Sequence, residues 1–203
     1  MKIRPLGIDG AWEITPVQHV DPRGMFTECY RFDHLAAVVG HPLRLAQGNL
    51  SVSARGVVRG IHFADTPPGE AKYVTCVRGA IVDVVVDIRV GSPTFGQWEA
   101  VRLDDVERRA VYLSEGLGHG FCALTDDATV SYLCSGTYDP STARAVHPLD
   151  EELAITWPVS APLLSERDTT AASLAEARAA GLLPDYQACR AIAESLHAAA
   201  PRT

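Results

Sequence analysis

The sequence predicts an all-β chain folded as a jelly-roll-like barrel, with short helices mainly near the C-terminus. Three observations carry that expectation. Short apolar runs rich in β-branched residues recur between residues 56 and 135 at a spacing of roughly 8 to 12 residues. No long helical pattern separates them, so neighbouring strands pair antiparallel. After Trp157 and Pro158 the chain turns Ala-rich, with good helix formers.

The first helix candidate is DHLAAVVG, residues 33 to 40, with Asp33 as its cap. Strands are expected at 56–64, 71–78, 80–89, 97–103, 109–114, 120–124 and 129–135. The clearest is AIVDVVVDIR, where Val82, Val84, Val86 and Ile88 share one face and Asp83, Val85, Asp87 and Arg89 the other. Two acids on an inner face are costly unless solvated or paired, so that face either lines a wet cavity or meets solvent. In the tail, SLAEARAAG, residues 173 to 181, follows the capping candidates Thr169 and Thr170 and stops at Gly181, and residues 185 to 199 read as a second helix.

The 203 residues fit one domain on a scale of roughly 100 to 200 residues per domain. The barrel core is expected at about 45–158 and a helical tail at about 165–200. A formal charge of -7 and a pI near 5.4 argue against a nucleic-acid surface, although local arginines suit a single phosphate group. Five cysteines, an odd number without a CxxC pair, read as reduced thiols of a cytoplasmic protein. The start, MKIRPLGIDG, lacks a secretory apolar stretch, and no apolar run is long enough to span a membrane.

Chemistry centres on His62, in GVVRGIHF. A barrel metal site wants two or three imidazoles and a carboxylate, commonly with an H-x-H pair on one strand. Position 64 is Ala64 and the other histidines are scattered, so no metal is expected. Arg59, Lys72 and Arg78 surround His62 in sequence, and such cations suit a phosphate or a developing enolate. Tyr132, in TVSYLC, adds a phenol able to donate a proton. Arg59 and His62 differ by three, so an ideal strand points them to opposite faces. Gly60 between them can support a bulge that re-aims one side chain, so irregular backbone is expected there if both face one cavity.

GVVRGIHF, PPGEAKYVTCVRGAIVDVVVDIRVGSPTFGQW, RRAVYLSEGLGHGF and HPLDEELAITWP, in that order and spacing, resemble the dTDP-4-dehydrorhamnose 3,5-epimerase family. The resemblance runs from about residue 3 to 183, and PPGEAKY with TYDPSTARAVHPLD is especially similar to epimerases of actinomycete antibiotic deoxysugar pathways. It implies a cupin-type jelly roll, a homodimer, and catalysis without metal or organic cofactor. The implied substrate is a dTDP-4-keto-6-deoxyhexose, whose C4 carbonyl acidifies the C3 and C5 protons.

Through the same resemblance His62 is the base and Asp168, in LSERD, the carboxylate that orients it. Lys72 stabilises the enolate oxygen and Tyr132 reprotonates the opposite face. Read alone, Asp168 is a helix cap, Lys72 a solvated strand-end lysine and Tyr132 a core tyrosine. Arg23, Phe26 and Glu28 in DPRGMFTE, Gln47 and Asn49 in LAQGNLS, and Arg59, His119 and Tyr138 match substrate-binding positions, several of them expected from a partner subunit. LSERD departs from the family in carrying Glu166 and Arg167 where a lysine usually precedes the aspartate. The family includes members that invert C3 alone or C5 alone; an outcome that includes C3 is expected here. The rivals are a metal-dependent cupin enzyme and a non-catalytic nucleotide-sugar binding module.

Overall fold

The computed structural model describes residues 1–200, so the last three residues of the expected 1–203 domain lie outside the described residues. Two antiparallel sheets pack face to face. One has six strands in the order β1 (Lys2–Pro5), β2 (Ala11–Thr15), β10 (Ala110–Leu113), β7 (Lys72–Arg78), β12 (Ala128–Cys134) and β5 (Gln47–Ser53). The other has five, in the order β13 (Ala143–Ala145), β6 (Val58–Ala64), β11 (Gly118–Ala123), β8 (Ala80–Val86) and β9 (Trp98–Asp104). A separate hairpin joins β3 (Gln18–Asp21) to β4 (Gly24–Thr27). The seven strands expected after residue 56 are all present within a few residues of their expected ends.

Apolar residues form three layers. Between the sheets, Val74, Val85, Val111, Phe121 and Val130 build the barrel interior. The outer face of the five-stranded sheet, including Ile61, Phe63, Val84 and Val86, is covered by the tail residues Leu153, Trp157, Leu174 and Ala177. The outer face of the six-stranded sheet is covered by α1 (Phe32–Val39), whose Leu35 packs with Ile14, Tyr73 and Tyr112. Both faces of both sheets are therefore needed to bury the strands, which is why several read as near-continuous apolar runs.

Three sequence expectations are corrected. The barrel does not begin near residue 45, because β1 and β2 belong to its six-stranded sheet. These strands are short, and β1 is mostly exposed, so alternation over them is weak. Asp33 does not cap α1: Arg31 occupies the N-cap and its guanidinium pairs with Asp33 instead. The tail helix α3 (Leu174–Ala179) is capped not by Thr169 or Thr170 but by Ser173, in a reciprocal box with Glu176. Thr169 closes α2 (Glu166–Thr169), and Asp185 caps α4 (Tyr186–Ala198).

The two acids of β8 and the turn after it do not meet solvent. Asp87 is fully buried and bound by Arg89, Ser92 and Thr94, while Asp83 is buried against His119. Pairing, the other way to bury a charge, is what the fold uses. All five cysteines are free. Among the described residues no helix is long and apolar enough to cross a membrane.

Candidate active site

A pocket of about 470 Å³ opens between the two sheets, and each wall contributes a distinct set of polar groups. From the five-stranded sheet come Arg59, His62 and His119; from the six-stranded sheet come Gln47, Asn49, Lys72 and Tyr132. Tyr138 and Arg144 stand at the rim, with Arg167 of α2 near the dyad.

The strand-parity difficulty is resolved by a bulge. Along β6 and β11, His62 lies opposite His119 and Arg59 opposite Phe121, so three steps on β6 match two on β11. Gly60 sits inside that slip at φ +132°, and a Cβ there would lie 2.6 Å from Gly120 Cα. Only glycine permits both the backbone conformation and the close approach. Arg59 and His62 thereby reach one cavity, while Ile61 and Phe63 point into the outer apolar layer.

His62 Nε2 is 2.6 Å from Asp168 Oδ1. The ionised carboxylate only accepts, so Nε2 carries the hydrogen and Nδ1 is left as the free base nitrogen. His62 keeps 35% of its side chain exposed, whereas Asp168 keeps 3%. Burial alone would raise Asp168, but the His62 hydrogen bond and charge, with Ser165, hold its carboxyl below the ordinary range. Ser165 also caps α2 by accepting from the Asp168 backbone N–H, so the short helix fixes the acid in place.

A second pair stands beside the first. His119 Nε2 lies 2.7 Å from Asp83 Oδ2, and both side chains are buried. Asp83 Oδ1 has no hydrogen-bond partner among the described residues. On the facing wall Tyr132 is half-buried, and burial, followed by the charge of nearby groups, raises its phenol above the usual value. The phenol therefore stays protonated near neutrality and is a donor there. Lys72 Nζ lies 3.3 Å from Glu70 Oε1, with both side chains largely enclosed.

Eight expected site residues, Gln47, Asn49, Arg59, His62, Lys72, His119, Tyr132 and Tyr138, line this pocket, with Asp168 directly behind His62. Arg23, Phe26 and Glu28 do not line it. Arg23 and Phe26 lie on the β3–β4 hairpin, where Arg23 pairs with Asp21 and Phe26 is 67% exposed, and Glu28 pairs with Arg31. Sequence reasoning missed Asp83, Glu70 and Arg144 as site residues. Asp83 was signalled by its cost on an inner face, and Glu70 by its place in PPGEAKY; Arg144 carried no local signal. Arg167, next to Asp168 in the chain, adds a guanidinium to the pocket lining.

Fold and site together define a class: a jelly-roll enzyme whose pocket sets a histidine–carboxylate dyad against a phenol, an arrangement suited to acid–base isomerisation. Comparison with known proteins agrees. A family model described as dTDP-4-dehydrorhamnose 3,5-epimerase matches residues 5–176. A dTDP-4-dehydrorhamnose 3-epimerase of Streptomyces niveus is 69% identical over 192 residues, covering 95% of this chain and 93% of the relative. A dTDP-4-dehydrorhamnose 3,5-epimerase of Mycolicibacterium smegmatis is 58% identical over 197 residues, or 97% of each chain. The crystal structure of a 4-keto-6-deoxy sugar epimerase from the novobiocin biosynthetic gene cluster of Streptomyces spheroides has a TM-score of 0.92 at 70% identity, over 93% of this chain and 95% of that one. The chain belongs to the dTDP-4-dehydrorhamnose 3,5-epimerase family and is an isomerase of the epimerase kind.

Proposed function

We propose that this chain, acting as a single epimerase domain in the cytoplasm, inverts C3 of a dTDP-4-keto-6-deoxyhexose in antibiotic deoxysugar biosynthesis, with no metal or organic cofactor. The observation that carries the reading is the His62–Asp168 pair at 2.6 Å on one barrel wall, facing Tyr132 and Lys72 on the other. The C4 ketone acidifies the C3 hydrogen. His62 Nδ1 takes that proton, and the electron pair of the C–H bond moves to give an enolate with its charge on the C4 oxygen. Lys72 stabilises that oxygen, where a fixed cation is worth most in a site that excludes water. Tyr132 then protonates C3 from the opposite face, and the carbonyl re-forms. Solvent returns a proton to the phenolate as His62 releases its own, so atoms balance and only the configuration changes.

Gln47, Asn49, Arg59, His119 and Tyr138 bind the sugar and nucleotide in this reading. Arg23, Phe26 and Glu28 serve the pocket of a partner copy. That assignment is supported by the exposed apolar residues Val20 and Phe26 on the hairpin, and by Leu50 and Val52 on β5, the edge strand of its sheet. Such surface is what a homodimer buries. Inversion at C3 follows the 69% identical relative, which is a 3-epimerase, over the 58% identical one, which acts at both carbons.

The deciding experiment is incubation with a dTDP-4-keto-6-deoxyhexose in deuterated buffer, followed by NMR. The wild type incorporates deuterium at C3 and accumulates the C3 epimer, and His62→Ala does neither. Unexchanged C3 and C5 hydrogens would mark a mere binder, and stoichiometric iron, zinc or manganese in the purified active protein would point to metal chemistry instead.

A further inference from the structure

Of the 18 lysines and arginines in the chain, only Lys2 and Lys72 are lysine. Lys72 is also the one with a carboxylate beside it in the pocket. Glu70 lines the same cavity, and its side chain keeps 18% of its surface while Lys72 keeps 13%. A negative charge in a pocket that receives a diphosphate sugar and forms an enolate works against both, so its presence calls for a compensating task.

The strand register shows what surrounds Lys72. Gln47 lies opposite Cys134, and Cys134 opposite Lys72, so these three share one row across β5, β12 and β7. Hydrogen bonds run along it. The Tyr138 backbone N–H donates to Gln47 Oε1 at 2.8 Å, Gln47 Nε2 donates to Asn49 Oδ1 at 2.7 Å, and Asn49 Nδ2 donates to Cys134 Sγ at 3.6 Å. Burial, and then the charge of Glu70, push the Cys134 thiol up to about 12, so it keeps its hydrogen beside the Asn49 amide. Glu70 Oε1 completes the row at 3.3 Å from Lys72 Nζ.

We infer that Glu70 is a positioning residue for the reaction: it holds the Lys72 ammonium at one place on the pocket wall, beside the row of Cys134, Asn49 and Gln47 that leads to Tyr138. The inference rests on the proposed function. A lysine has four carbons of flexible stem, and an ammonium free to wander is a poor oxyanion partner, since a misplacement of about 1 Å can cost on the order of 100-fold in rate. Glu70 has an opposite effect too, because it weakens the positive potential at the enolate. The two effects give opposite signs when the carboxylate is removed, so experiment separates them.

The test uses Glu70→Gln in the full-length enzyme, read by the deuterium exchange rate at C3 and by NMR of 15N-lysine-labelled protein. With two lysines the ammonium spectrum holds two signals, assigned with Lys72→Met. The expected result is a kcat about 10- to 100-fold lower with KM within about 3-fold. The Lys72 signal is distinct from that of Lys2 in the wild type and moves toward it in Glu70→Gln. In a Lys72→Met background, Glu70→Gln has no further effect on exchange. A faster or unchanged Glu70→Gln enzyme would overturn the inference, as would the same loss with and without Lys72. A Lys72 signal unmoved in Glu70→Gln overturns it independently of activity. A wild type that exchanges nothing defeats the proposed function, and this inference with it.

Discussion

Asp168→Asn is the most direct probe of the dyad, because it keeps the shape of the buried side chain and removes its charge. The contact is 2.6 Å long, Asp168 is 2% exposed, and proton abstraction turns His62 into an imidazolium beside it. With charge centres roughly 4 Å apart and an effective dielectric of about 20, the carboxylate stabilises that cation by about 4 kcal/mol. About a third of the His62 side chain remains open to solvent, which screens the interaction, so a range of about 2 to 4 kcal/mol is appropriate. At about 1.4 kcal/mol per factor of ten, Asp168→Asn slows C3 exchange roughly 30- to 1,000-fold. The Asn oxygen still accepts from Nε2–H, so the ring keeps its orientation and KM moves little. The assay is initial-rate deuterium incorporation at saturating substrate, with a thermal melt to show that the variant is folded. Exchange within about threefold of wild type in a folded Asp168→Asn protein would refute the role of the dyad.

Tyr132→Phe removes the donor but leaves the base, so C3 exchange survives while accumulation of the epimer is lost; full turnover by this variant would remove Tyr132 from the reaction. Gly60→Ala places a Cβ 2.6 Å from Gly120 Cα and 2.8 Å from the His119 carbonyl oxygen, at φ +132°. It is expected to lower stability by about 2 kcal/mol or more in denaturant unfolding, and an unchanged midpoint would show that the β6–β11 crossing is looser than described. For acid stability, burial raises both Asp168 and Asp87, but their hydrogen-bond partners outweigh it and hold each carboxyl below the ordinary value of about 3.9. A depressed folded-state value contributes stability above the unfolded one and loses it as pH falls through the folded one. Melting temperatures should therefore drop steeply below about pH 4, and less steeply in Asp168→Asn; parallel curves would deny Asp168 its share.

How much of this was legible in the sequence depended on whether a residue's partner was local. The strands after residue 56 could be read from their own β-branched runs, and the bulge at Gly60 from the parity of Arg59 and His62. The pairing of Asp83 with His119, 36 positions apart, and of His62 with Asp168, 106 apart, is set by sheet register and tail docking, which no short window contains. Asp168 shows the limit clearly. By local rules it is a helix-cap residue, and only the family resemblance pointed to the histidine; in the structure Ser165 takes the capping role and leaves the Asp168 carboxylate free for His62. The early strands β1 to β4 escaped notice for a related reason. They are four or five residues long, and all but β2 are largely exposed, so their apolar pattern is too short to register.

Inversion of a carbon needs an acid and a base on opposite sides of the ring, and one strand face cannot supply both. In the proposed reaction the barrel meets this need by dividing the labour between sheets. Tyr132 and Cys134 point the same way along β12, with Cys134 opposite Lys72, while His62 and His119 stand opposite one another in the facing sheet. Because strand side chains alternate, a one-residue slip of β12 would turn Tyr132 out of the pocket and bring Ser131 or Leu133 in. The burial of Val130 in the barrel interior and the packing of Leu133 in the outer layer resist such a slip, since Val130 would leave the interior and Leu133 would exchange apolar neighbours for the polar pocket. The chemistry of the pocket is thus held in register by apolar packing on either side of it, not by the polar groups that face the substrate.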